Sequence, residues 1–315
     1  MIYAFDMEKV LADLEKDPAG AIAGWEAGYR DQIQKVADFI DKNRHKSPIV
    51  LLSGPSGSSK TSTATRIQKR LVEMGITAHL LSMDNYFIGL DDENYPRLDN
   101  GRPNLESPDC LDMALLDDHF SKLEAGQDIY VPEYDFHNQR RVEGAGTFMD
   151  IEPGDVFIFE GIHALNRRFT DRHPDACRIY VSPEAVYQRD GNVICTTVQL
   201  RLIRRLVRDY LFRGAEAAYT LGLWDNVLVG EDQNIAPFQT TAHCQVVTAM
   251  PYELGVLKKF VLPLIRDLGP DVPRADQVEA IRVMMGEIPM LSAALVPDDS
   301  IVREFIGPRP DNKEQ

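Results

Sequence analysis

Lys60 and Thr61 close an eight-residue stretch, Gly54-Pro55-Ser56-Gly57-Ser58-Ser59-Lys60-Thr61, whose residue types suit the binding of a polyphosphate. A glycine-rich turn running into a helix offers an anion converging backbone N–H groups and the positive end of the helix dipole. In such a loop the Lys60 ammonium reaches the outer phosphates and the Thr61 hydroxyl binds Mg²⁺, with Ser62 carrying the loop into its helix. The usual pattern has glycine directly before the lysine. Here Ser59 takes that place, so a Cβ must fit where the backbone passes close to phosphate. The plain alternative is an ordinary Gly/Ser turn. Against it stand the flanks: an apolar run, Pro48 to Leu52, short enough for a buried strand, and then Ala64, Ile67, Leu71 and Met74 at helical spacing up to Gly75, a C-cap.

Two carboxylates fall where such a loop would use them. Thr77 to Met83 reads as a strand that delivers Asp84-Asn-Tyr-Phe87 at its C-terminal end, the end at which open parallel sheets bind ligands. A carboxylate there can orient a hydroxyl and take its proton; the alternative is a turn-forming or capping aspartate. Asp155 to Glu160 reads as a buried strand ending on an acid, which serves either a metal or the surface. From Thr197 to Arg213 a helix carries Leu202, Ile203, Leu206, Val207 and Tyr210 on one face and Arg201, Arg204, Arg205 and Arg208 on the other. Basic stripes are mostly solvated, and Asp209 can pair locally with Arg205 or Arg213. Beside a phosphate loop, however, several positive charges are what phosphoryl transfer needs.

Composition bounds the rest. At 315 residues, 44% apolar and 26% charged, the chain can bury one large core or two modest ones. A formal net charge of −15 argues against nucleic acid or an anionic membrane surface as the main partner. Four dispersed cysteines without a C-x-x-C pair suggest neither a zinc site nor disulfides and fit a reducing cytoplasm. No signal peptide or membrane span is expected. Residues 1–46 read as helical, the polar segment 89–107 as a long functional loop, 111–123 as a helix, and 129–134 and 177–181 as strands. Residues 214–240 read as loop with a short helix, 243–249 as the last strand, and 252–268 and 275–285 as helices before a proline-punctuated tail.

The ordered segments GPSGSSKT, SMDNYF, NLESPD, VPEYDFHNQRR, VFIFEGIHALN and LIRRLVRDYLFRG, from about residue 48 to 268, resemble the uridine kinase and phosphoribulokinase group of P-loop kinases. The FRG helix and the tail VPDDSIVREFIG look like the long bacterial nucleoside kinases of that group. The resemblance implies an α/β P-loop NTPase fold, a parallel sheet flanked by helices, with a small acceptor-binding hairpin lobe and an arginine-bearing lid. It matches Asp84 to the catalytic aspartate near Mg²⁺, Glu160 to a magnesium partner, and Glu106 to the acid that binds ribose hydroxyls. Tyr134 and Phe136 match aromatics of the base pocket, although alternation in a half-buried strand explains them equally. Arg205, Arg208 and Arg213 match lid arginines that close over the phosphates. Gln139 stands where these kinases place a base-reading histidine, Phe87 where they have tyrosine, and Ala215 where they have a further arginine.

The expectation is therefore a cytoplasmic enzyme with an N-terminal helical segment (1–46), a kinase domain (47–268) and a C-terminal helix and tail (269–315). It moves the γ-phosphoryl of ATP or GTP, with Mg²⁺, to the 5′-hydroxyl of a pyrimidine ribonucleoside; homo-oligomerisation stays open. Two alternatives remain: a sugar, sugar phosphate or other polyol as acceptor, and a regulatory module that binds nucleotide and transfers nothing.

Overall fold

The computed structural model describes residues 3–309; Met1, Ile2 and 310–315, the extremities of the expected N-terminal segment and C-terminal tail, lie outside it. In chain order the elements are β1 (Tyr3–Asp6), α1 (Met7–Lys16), α2 (Pro18–Asn43), β2 (Ile49–Ser53), α3 (Lys60–Glu73), β3 (Ala78–Ser82), α4 (Met113–Glu124), β4 (Ile129–Asp135), β5 (Arg140–Met149) and β6 (Val156–Glu160). Then follow α5 (Arg167–Thr170), β7 (Cys177–Ser182), β8 (Ala185–Arg189), β9 (Asn192–Cys195), α6 (Thr197–Arg213), α7 (Ala217–Asn234), β10 (Cys244–Val247), α8 (Glu253–Ile265), α9 (Ala275–Glu287) and α10 (Arg303–Ile306).

The central sheet has the order β10-β7-β2-β6-β3, with every neighbouring pair parallel. Its strands are apolar on both faces because both faces are covered. Val50 and Leu52 of β2 with Val156 and Ile158 of β6 join the core under α2, α3, α6 and α8. Their alternates Ile49, Leu51, Phe157 and Phe159 join a second core with Leu116 and Phe120 of α4 and Ile129 and Val131 of β4. The β4–β5 hairpin stands apart from the sheet as a two-stranded lobe. Helix ends follow local chemistry: Asp17 caps α2 with Pro18 in its first turn, and Thr196 and Gln199 form a reciprocal capping box on α6.

Two sequence expectations are corrected. Tyr3–Asp6 is a strand within the segment read as helical, pairing in parallel with β8, whose hairpin with β9 completes a small sheet. Residues 214–240 contain an 18-residue helix, α7, rather than a loop with a short helix. On α6 the alternative of a solvated basic stripe falls, since Arg201 and Arg204 are buried. Among the described residues no helix is long and apolar enough to cross a membrane.

Candidate active site

The 54–61 loop leaves β2 and enters α3 at the C-terminal edge of the sheet. Its carbonyls are taken from behind by side chains. Arg201 Nε donates to Ser56 O at 2.8 Å, Arg204 Nη1 to Gly57 O at 3.2 Å, and Thr248 Oγ1 to Ser58 O at 2.9 Å. That leaves the concave side of the turn to its N–H groups, the arrangement that receives an anion. Gly57 is held at φ +78, where a Cβ would come 3.1 Å from Arg201 O. Ser59 occupies the left-handed region at φ 65, ψ 38, which is why glycine is the usual residue there. Its hydroxyl is buried without a hydrogen-bond partner among the described residues.

Lys60, half-buried, donates to Pro55 O at 3.2 Å. Burial lowers its pKa, against the pull of the Glu160 and Asp84 carboxylates. Glu160 Oε1 accepts from Thr61 Oγ1 at 3.1 Å and from Ser82 Oγ at 3.2 Å, so the ends of β3 and β6 and the first turn of α3 meet on one oxygen. Asp84 lies in a 3₁₀ turn, Met83–Tyr86, capped by Ser82, whose hydroxyl accepts the Asp84 N–H at 3.3 Å. Asp84 thus stands in a turn just past the end of β3, and the cap of that turn is Ser82 rather than Asp84 itself. Burial, followed by the nearby Glu160 charge, pushes the Asp84 carboxyl up to about 6, while Lys60 and Arg213 oppose the shift.

The arginines divide into two sets. Arg201 and Arg204 are structural: Arg201 makes a forked pair with Glu231 of α7 at 2.7 and 2.5 Å, and Arg204 a buried pair with Glu253 of α8. Arg205, Arg208 and Arg213 converge on one buried carboxylate, Asp209, at 3.2, 3.1 and 3.3 Å. One carboxylate cannot neutralise three guanidinium groups, so this end of α6 keeps a surplus of positive charge. Arg205 also donates to Ser56 Oγ at 2.9 Å, linking that surplus to the phosphate loop.

Glu106 enters the same cleft from the 89–107 loop. Burial raises its pKa, with Arg205 and Lys60 opposing and Glu231 adding to the rise. Behind it is Gly230 of α7, where a Cβ would lie 2.3 Å from the Glu106 Cβ, and Asn234 Nδ2 donates to Glu106 O at 3.0 Å. Cys110 feels both Asp84 and Glu106, its thiol pushed up mainly by burial. Phe87 and Tyr134 meet edge to face at 5.6 Å. Phe136, 5.2 Å beyond Tyr134, is 59% exposed, and Gln139 is an exposed turn residue at φ 52. The hairpin is anchored through Arg141, which donates to Asp112 Oδ2 at 3.0 Å and to Tyr86 O.

Several residues of the site were not foreseen. Asp209 was read only as a local partner for Arg205 or Arg213, whereas it gathers three arginines. Glu231, Gly230 and Asn234 lie on the unforeseen α7. Ser82 carries no signal beyond preceding Met83-Asp84. His163 is 1% exposed with neither ring nitrogen bonded among the described residues, and burial and Lys60 bring it down to about 4, a neutral imidazole three residues past Glu160.

A parallel sheet with a phosphate-type loop after its central strand, a carboxylate at each of two neighbouring strand ends and an arginine-bearing helix define a P-loop phosphotransferase. The sequence pattern of the Phosphoribulokinase / Uridine kinase family matches residues 49–252, and the chain belongs to that family. It is thus an ATP-dependent phosphotransferase that acts on an alcohol group, and the alternative of a module that transfers nothing falls. The chain is 34% identical over 169 residues to a uridine kinase of Macrococcus caseolyticus, covering 54% of this chain and 72% of the relative. It is 32% identical over 165 residues to a uridine kinase of Halobacterium salinarum, covering 52% and 64%. A solved D-glycerate 3-kinase from Cryptococcus neoformans superposes with a TM-score of 0.49 at 16% identity, covering 68% and 90%.

Proposed function

We propose that the protein transfers the γ-phosphoryl group of ATP or GTP to the 5′-hydroxyl of a pyrimidine ribonucleoside. The observation that carries this reading is the second carboxylate in the cleft. Glu106 faces the charges of Lys60 and Arg205 and is seated against a glycine that makes room for it. A carboxylate accepts hydrogen bonds and donates none, so its natural partner is a pair of adjacent hydroxyls such as a ribose diol. The Phe87–Tyr134 pair offers an apolar wall for the base.

In this scheme the loop 54–62 holds the donor nucleotide, with Lys60 on its outer phosphates. Asp84 orients the acceptor hydroxyl and takes its proton, and Arg205, Arg208 and Arg213 counter the charge of the phosphoryl group in flight. Thr61, Asp84 and Glu160 provide one hydroxyl and two carboxylates. Among the described residues no group of three or more His, Cys, Asp or Glu forms a metal cage. Such a set fits Mg²⁺, which binds through one or two carboxylates plus phosphate oxygens and water. When bound it neutralises charge on the β- and γ-phosphates.

A polyol or sugar acceptor is the second reading, favoured by one observation: Phe136 and Gln139, expected at the base, point their surface to solvent. Assaying uridine, cytidine, ribose and other polyols for ADP release and phosphorylated product separates the two. Turnover of nucleosides but not free sugars supports the first; the reverse supports the second.

A further inference from the structure

The C-terminal segment lies outside the residues matched by the family pattern, yet it folds back onto the phosphate-loop helix and the arginine helix. Arg303 donates to the carbonyls of Pro297, Ala293 and Val296 at 3.3, 2.8 and 2.6 Å, closing the segment into a fixed turn. The Ser300 hydroxyl is 3.0 Å from the Tyr252 hydroxyl, which donates to the buried Glu26 at 2.6 Å. Arg66 of α3 donates to the Asp299 carbonyl. The Phe305 ring lies 4.8 Å beneath the Arg204 guanidinium, and a Cβ on Gly307 would stand 3.4 Å from the Phe212 ring of α6. These contacts leave Glu304 at the first turn of α3, where its carboxylate accepts the Ser62 hydroxyl at 2.5 Å. Its charge is also felt by Lys60.

The order of the loop residues gives this position a meaning. In a phosphate loop the lysine reaches the β- and γ-phosphates while the turn cradles the α- and β-phosphates. Residues two apart on a helix are turned about 200° from one another, so Ser62 and the Glu304 bonded to it stand on the side of α3 turned away from the reacting end that Lys60 faces. A carboxylate set against the phosphates would repel them, whereas against the donor ribose it meets hydroxyl donors. Three residues past Glu304, Gly307 backs Phe212, which is 53% exposed and presents an apolar face of the kind that receives a base.

We propose that the segment from Asp299 to Gly307 forms part of the donor nucleotide site, with Glu304 accepting a hydrogen bond from a ribose hydroxyl of the nucleoside triphosphate and Phe212 flanking its base. This rests on residues 54–61 being the donor phosphate loop, and the test keeps the two apart. The full chain and its Glu304→Gln and Glu304→Ala variants are titrated calorimetrically with Mg-ATP, Mg-2′,3′-dideoxy-ATP and Mg-tripolyphosphate, and thermal unfolding of each is recorded. The wild type is expected to bind ATP about tenfold more tightly than the dideoxy analogue. Glu304→Ala should bind the two alike, and tripolyphosphate should bind all three proteins equally. Glu304→Gln keeps an acceptor for Ser62 but loses the charge, and should fall between them. An unchanged preference for ATP in Glu304→Ala, even with a lowered Tm, would make Glu304 a structural tie and overturn the inference. Tighter tripolyphosphate binding in that variant would make it an obstacle to phosphate and overturn it too. A wild type that binds neither ATP nor tripolyphosphate would remove the loop assignment itself.

Discussion

The Glu253 carboxylate receives Nε and Nη2 of Arg204 at 2.8 and 2.9 Å, with both side chains shut off from solvent. Four residues further along the same helix face, Arg208 shares Asp209 with two other arginines and stays partly open to the cleft. The two arginines share one face of α6 in sequence and have different surroundings in the fold. Removing one partner of a buried pair strands the other charge, at a cost of about 3–5 kcal/mol. Arg204→Ala is therefore expected to lower stability by that amount in urea denaturation. Arg208→Ala leaves Asp209 paired with Arg205 and Arg213, so it should lose less stability than Arg204→Ala and instead reduce kcat by about tenfold or more, short of the ~10³–10⁵ seen where one arginine acts alone. Intact turnover in Arg208→Ala would make it structural as well.

On the proposed mechanism Asp84 couples catalysis to stability. Its carboxyl is raised to about 6 in the fold, against about 3.9 in an unfolded chain. Between those values the unfolded state has released the proton that the folded state retains, so stability falls as pH rises through this window and levels off above it. Asp84→Asn should match the wild type near pH 4 and exceed it by on the order of 2 kcal/mol at pH 8. The same variant should lose about 10²–10⁴ in kcat. In the wild type kcat/KM should climb through pH 6 and then flatten, since it reports groups of the free enzyme. A flat pH profile together with normal turnover in Asp84→Asn would remove the residue from the chemistry.

How much of this was legible follows from which residues carry local signals. The central strands were readable because burial on both faces makes them continuous apolar runs, and α3 because its apolar period ends at Gly75. The α7 helix was hidden. Its sequence, AAYTLGLWDNVLVGEDQN, carries two interior glycines, no side-chain cap hydrogen bond and apolar residues on several sides. Gly230 costs about 1 kcal/mol in helix propensity and is there for Glu106, a contact 124 positions away in the chain. The destinations of Arg201 and Arg204 were equally invisible, because Glu231 and Glu253 are brought to them only by tertiary folding.

Ser59 is a strained residue at the centre of the loop. Holding a non-glycine residue at φ 65 costs about 1–2 kcal/mol, and glycine returns part of that as extra freedom when unfolded. Ser59→Gly is expected to raise stability by up to about 1 kcal/mol while Mg-ATP binding stays within about twofold. A marked loss of ATP affinity would show instead that the buried hydroxyl serves the phosphates.

Lys60→Ala should abolish turnover and weaken Mg-ATP binding, because a charge-assisted contact to the phosphates disappears. Binding and rate both equal to wild type would reject the loop as the donor site.

The contact between Gly230 and Glu106 offers a test of the proposed acceptor site that leaves both carboxylates in place. A methyl group at residue 230 would sit 2.3 Å from the Glu106 Cβ, so the loop carrying Glu106 has to move. Because Gly→Ala favours the helix by about 1 kcal/mol, a loss of function in Gly230→Ala cannot be ascribed to a weaker α7. The displaced carboxylate should meet a vicinal diol poorly, so KM for the ribonucleoside should rise about tenfold or more. Affinity for Mg-ATP, measured without acceptor, should be unchanged. The wild type should prefer uridine to 2′-deoxyuridine by about tenfold, an unpaired buried acceptor costing about 1–3 kcal/mol, and Gly230→Ala should lose that preference. Cytidine should track uridine in both proteins, since the exposed Gln139 can donate or accept. Equal kcat/KM for uridine and deoxyuridine in the wild type would take the diol away from Glu106, and a Gly230→Ala enzyme that still discriminates would show that Glu106 acts from elsewhere than its seat on α7.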